Sequence, residues 1–151
     1  MAESQVRLRP YHPDDFEAAI GVWMSAWQAA MPEIAFAKRL DWWRHRWLLE
    51  LVPNNTVTIA EVDGAVVGFV VIDPVTGWLD QIAVTPANWS RGIASALMQE
   101  AQRLAPNNIR LDVNQTNARA IGLYERLGFR RTGEGVNRNS GAPTFLYEWT
   151  R

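Results

Sequence analysis

The 151-residue chain contains no cysteine, which excludes disulfides, thiolate metal sites and any route through an acyl-cysteine intermediate. Histidine is nearly as scarce, at two residues. Neither His12 nor His45 is accompanied by further ligands at metal-binding spacing, so no metal is expected. An excess of one charge is also lacking. The formal net charge of −1 gives no overall attraction to nucleic acid or to an anionic membrane. No apolar run approaches the roughly 20 residues that a membrane helix needs, and MAESQVRLRP has no apolar signal-peptide core. These absences predict a cytoplasmic protein with neither nucleic-acid nor membrane partners. Two phosphate signatures are missing as well: there is no GxxxxGK[ST] P-loop and no GxGxxG after the first strand.

What is present is 48% apolar residues, enough for one core but too short a chain for two ordinary ones, so residues 1–151 are read as a single domain. Val6 and Leu8 alternate with polar neighbours in a short first strand, and Pro13, Asp14 and Asp15 start a helix expected to run to about Ala30. A second helical stretch carries Leu40, Trp43, Trp47 and Leu51 on one face, a spacing that reads as core. TVTIAEV and AVVGFVVI flank Asp63 and Gly64, a strong hairpin signal. A third strand follows from Trp78 to Val84. The helix starting near Ser95 ends before Pro106, and Ile109, Leu111 and Val113 alternate in another strand. Asn117 is placed to cap a helix closed by Gly128, and Thr144 to Trp149 reads as a final strand. The order β-α-α-β-β-β-α-β-α-β predicts an α/β fold: a mixed, mostly antiparallel sheet flanked by helices.

The stretch NWSRGIASALM, between a strand and a helix, is the first candidate site. A helix N-terminus presents unpaired N–H groups and a positive dipole end, so a turn of small residues there admits a phosphate. By itself the same turn also suits an ordinary strand-to-helix connection.

Its surroundings are more specific. LDQIAVTP, ANWSRGIASALM and NARAIGLYERLGF together resemble the GCN5-related N-acetyltransferase family, over Val6 to Trp149 with the specific core from Leu79 to Phe129. The resemblance implies acetyl-CoA as cosubstrate, with no metal. In the family's Gln/Arg-x-x-Gly-x-Gly/Ala turn, Gly92 and Ala94 match, so the backbone of Ser90, Arg91, Gly92, Ile93, Ala94 and Ser95 would cradle the pyrophosphate. Trp89 stands where Gln or Arg is usual, and Arg91 is the nearest substitute for a side-chain contact. Ile82, Ala83 and Val84 would pair with the pantetheine arm as an added strand.

The family's Asn-x-x-Ala-x-x-x-Tyr-x-x-x-Gly-Phe pattern is matched by Asn117, Ala120, Tyr124, Gly128 and Phe129. By resemblance Asn117 bonds the cofactor arm and Tyr124 protonates the departing thiolate. An alkylamine near pKa 10.4 is about 0.1% neutral or less at pH 7, so a base is useful. Asp80 is the candidate, with a salt-bridged or exposed strand residue as its alternative reading. Trp23 and Trp27, joined by Tyr147, are candidates for an aromatic acceptor pocket. The expected activity is direct acetyl transfer to a primary amine of a small molecule or peptide. A non-catalytic acyl-CoA-binding module is the alternative, and a homodimer is left open.

Overall fold

The computed structural model describes residues 5–151. Seven strands and five helices follow one another in this order: β1 Val6–Pro10, α1 Phe16–Ala30, α2 Leu40–Arg46, α3 Val52–Asn54, β2 Thr56–Val62, β3 Ala65–Ile72, β4 Leu79–Val84, α4 Ile93–Leu104, β5 Asn108–Asn114, α5 Ala118–Arg126, β6 Arg130–Val136 and β7 Pro143–Thr150. The strands form two antiparallel sheets, β1-β2-β3-β4 and β5-β7-β6. Among the described residues a single isolated bridge, Trp78 to Arg110, joins them in parallel. The α/β class with helices on a mostly antiparallel framework is therefore as the sequence indicates.

Local chemistry explains most of these elements. Asp63 and Gly64 both take positive φ, 52° and 79°, the two left-handed positions that turn β2 into β3 with the twist of the strands. Ahead of α1, the Asp15 carboxylate accepts from the His12 N–H at 2.8 Å, while His12 Nδ1 accepts from the Asp14 N–H at 3.1 Å. Arg9 grips the same carboxylate through two bonds of 2.8 Å and reaches Glu61 at 2.9 Å. This ties β1, the start of α1 and β2 together, and the Arg9 hydrogen bonds hold the Asp15 carboxyl below the usual carboxylate range.

The stripe of Trp43, Trp47 and Leu51 raises a geometric problem. An α-helix advances 100° per residue, so three residues spaced four apart drift about 80° around it. The chain widens into a π-helical turn over Trp47–Leu51, and all three side chains stay buried. They pack with Trp23, Phe36, Phe69 and Val71 between α1, α2 and one face of the four-stranded sheet. On the other face, Leu97, Met98 and Ala101 of α4 meet Val70, Ile72, Ile109, Leu111, Tyr124 and Tyr147. The core is thus two layers, one on each side of the strands.

One strand lies outside the sequence-based order. β6, RRTGEGV, is mostly exposed along its length and among the described residues pairs only with β7. A polar edge strand containing two glycines buries no alternating apolar set, so it has no periodic signal to read.

Candidate active site

The cleft begins where the two sheets part. Val71 pairs with Gln81 and Ile72 with Leu79, so Asp80 is an extra residue on β4, a bulge that bends the strand. Beyond the Trp78–Arg110 bridge β4 pairs with β3 alone among the described residues. The space between β4 and β5 opens into a cavity of about 500 Å³, walled by α1, the turn before α4 and the start of α5.

Most of the residues singled out in the sequence line this cavity: Trp27, Asp80, Ile82, Ala83 and Val84, then Trp89, Ser90 and Gly92 to Ser95, and finally Asn117 and Tyr124. Three candidates lie elsewhere. Arg91 is exposed and outside the lining. Trp23 is 3% exposed and stacked on Trp43 at 4.6 Å, inside the helical core layer. Tyr147 is buried behind Tyr124, its hydroxyl donating to Glu125 at 2.8 Å and accepting from Arg131 at 3.3 Å. Trp23 and Tyr147 are core residues, since burial of a large ring outweighs what their sequence neighbourhood suggests.

The turn has the features a phosphate needs. Gly92 is left-handed, at φ 80°, and the direction in which a Cβ would project is empty to 4 Å. No side chain caps the N-terminus of α4, so the N–H groups of its first turn keep their donors free. At the next helix, Asn117 Oδ1 accepts from the Ala120 N–H at 3.2 Å, which leaves its amide N–H groups for a ligand.

Tyr124 is 6% exposed, packed against the rings of Phe129 and Tyr147. It lines the cavity, and its hydroxyl has no hydrogen-bond partner among the described residues. Burial raises the phenol above its usual range, and the Asp112 carboxylate raises it further. The hydroxyl therefore keeps its proton at neutral pH and is a donor.

Two acids on the parted strands line the same cavity as this donor. Asp80 is held in a two-pronged pair by Arg46 of α2, at 3.0 and 2.8 Å, with Gln81 Nε2 at 3.3 Å from one oxygen. Burial works against the Arg46 charge, but the Asp80 and Glu50 carboxylates outweigh it. Asp112 of β5 lines the same cavity and has no salt-bridge partner among the described residues. The residue as a whole is exposed, but the protein around its carboxyl partly desolvates it. Burial, followed by repulsion from Asp80, pushes its carboxyl up. The sequence reading missed Asp112, because between Leu111 and Val113 it looks like an ordinary solvent-facing strand position.

Residues 13–129 match the acetyltransferase (GNAT) family. The chain belongs to that family. A peptidyl-lysine N-acetyltransferase of Salmonella typhimurium, YjaB, is 26% identical over 140 residues, covering 91% of this chain and 92% of that protein. The Escherichia coli peptidyl-lysine N-acetyltransferase YiaC is 28% identical over 148 residues, covering 94% and 95%. Among solved structures, the PaiA N-acetyltransferase of Thermoplasma acidophilum, in complex with coenzyme A, superposes with a TM-score of 0.81 at 18% identity, over 97% of this chain and 99% of that one. As a GNAT protein the chain is an acyltransferase. Among the described residues there is no group of three or more His, Cys, Asp or Glu suited to hold a metal ion, and no helix is long and apolar enough to cross a membrane.

Proposed function

We propose that this protein transfers an acetyl group from acetyl-CoA directly to a primary amine, with a lysine side chain as the favoured acceptor. The observation that carries the reading is Tyr124: a protonated phenol with no partner among the described residues, lining the same cavity as the uncapped N-terminus of α4. The uncapped N–H groups around the left-handed Gly92 suit the pyrophosphate, and Ile82 to Val84 offer backbone to an extended arm. Bound there, acetyl-CoA supplies an acetyl group activated as a thioester.

The protein's own groups then handle two protons. Tyr124 Oη gives one to the departing sulfur. The other is one of two that the incoming ammonium sheds on becoming an amide: it is taken before attack by the carboxylates at the sheet junction, and the second, lost from the nitrogen after attack, restores the proton that Tyr124 gave up. Asp112 suits that task, because both Asp80 oxygens are engaged by Arg46, whose grip holds Asp80 as the electrostatic partner. A carboxyl shifted upward is also a better match to an amine proton. Trp27 beside Ala26 and Ala30 gives an aliphatic stem an apolar wall. The peptidyl-lysine acetyltransferases that align along nine-tenths of the chain favour a lysine stem there.

Thiol release from acetyl-CoA in the presence of lysine peptides, free diamines and polyamines tests the reading. Release with lysine peptides is expected; tight CoA binding with no release by any amine would instead make this a binding module. Asp112→Asn separates chemistry from stability. Because folding raises this carboxyl, the ionised form costs stability at neutral pH and the protonated form does not. The variant should therefore melt above the wild type at pH 7, with the advantage gone below about pH 4, where the unfolded carboxyl is protonated. Turnover should fall by about 10²-fold or more. A variant that melts lower at pH 7, or keeps full turnover, contradicts the assignment.

A further inference from the structure

The anomaly in the turn, tryptophan where the family pattern has Gln or Arg, has a structural counterpart. The Trp89 indole N–H donates to the Val84 carbonyl at 2.7 Å, which fastens the turn to the end of β4. Over the Trp89 ring lies the guanidinium of Arg119, with Cζ 3.9 Å from the ring centroid. Arg119 is the second residue of α5, so it reaches this ring from the opposite wall of the cavity.

A guanidinium stacked on an indole is held by its face, and its in-plane N–H donors remain free for a planar or tetrahedral anion. No carboxylate competes for them: Arg119 has no ion pair among the described residues. It lines the cavity together with Ser90 and Gly92, whereas Arg91 is exposed and outside the lining. Arg126, two turns along α5, lines the cavity too and lies beside Gly122.

We propose that Arg119, seated on Trp89, is the side-chain contact to the cofactor's pyrophosphate, supplied from α5 in place of the turn's first residue. Trp89 is then a positioning residue. It fixes a long, mobile side chain next to the backbone cradle, so that the charge is already in place when the diphosphate arrives. The proposal rests on the reading that acetyl-CoA occupies this cavity.

Calorimetric titration with CoA and with dephospho-CoA, which keeps the pyrophosphate but lacks the 3′-phosphate, tests it. Arg119→Ala should weaken both ligands by the same factor, about tenfold or more, the loss expected for a charge-assisted bond to phosphate. Arg91→Ala should change either by less than about twofold. Trp89→Ala should weaken binding in the otherwise intact protein and add little once Arg119 is alanine, because the two act as one unit. Trp89→Phe keeps a ring face and should retain most of the affinity, which guards against a turn that merely fails to fold.

A loss confined to CoA would overturn the proposal by placing Arg119 on the 3′-phosphate, and so would no loss at all. Strict additivity of the two alanine variants would remove Trp89 as its platform. Failure of the wild-type protein to bind either ligand would instead overturn the acetyl-CoA reading, a different result.

Discussion

Tyr124→Phe should lower kcat by about 10²- to 10³-fold, the range for loss of a general acid, while CoA affinity stays within about twofold. The substitution removes one hydroxyl that bonds no described residue and keeps the ring packed against Phe129 and Tyr147. No buried partner is orphaned, so the fold should be indifferent to the change. A fall in kcat with unchanged affinity and unchanged melting temperature therefore reports on chemistry alone. The pH profile gives an independent check. Burial and the Asp112 charge both raise the phenol, so it stays protonated past the ordinary tyrosine range near 10. Activity of the wild type should not decline between pH 8 and 10 through loss of this proton. If Tyr124→Phe turns over normally, the donor lies elsewhere.

Gly77→Ala should be the most destabilising small substitution in the protein. Gly77 is left-handed at φ 77°, and a Cβ there would collide with the backbone oxygen of Asn108. That oxygen cannot move freely, because the Gly77 carbonyl accepts from the Arg110 N–H at 2.9 Å next to the Trp78–Arg110 bridge. Strain at the left-handed position and the collision together should cost about 3 kcal/mol or more. For a chain of this size that lowers the melting temperature by roughly 10 °C. Because the bridge sets where β4 and β5 begin to part, CoA affinity of the folded fraction should fall as well. A melting temperature within about 2 °C of the wild type would show that the junction tolerates a shift.

Features that depend on neighbours in sequence were legible. The Asp63–Gly64 hairpin, the Asn117 cap and the left-handed Gly128 each follow from a few adjacent residues, and the structure has all three. Features that depend on pairing across space were not. Nothing in LDQIAV says that Asp80 will be the extra residue, because a bulge is defined by what the partner strand puts opposite it. Asp112 and Arg46 were invisible for the same reason: one looks like a strand's wet face, the other like one of several charges on α2, until the bulge brings them to Asp80. Trp89 stands out in the sequence as a departure from the family pattern, but the residue that answers it, Arg119, is thirty positions further along the sequence on another helix. Among the tryptophans, helical spacing separated Trp43 and Trp47 from the rest but could not tell Trp23, which stacks inside the core layer, from Trp27, four residues on, which reaches the cavity.

The parting of β4 from β5 has a consequence for how copies of this protein behave toward one another. A strand with one unpaired edge is adhesive: on the rim of a sheet it recruits other chains and seeds aggregates. Here the free edge of β4 lies inside the molecule, hemmed in by α1, the turn before α4 and the start of α5. A slender extended molecule has room along it in a cavity of about 500 Å³. The protein keeps a sticky backbone surface for a guest and conceals it from its own kind.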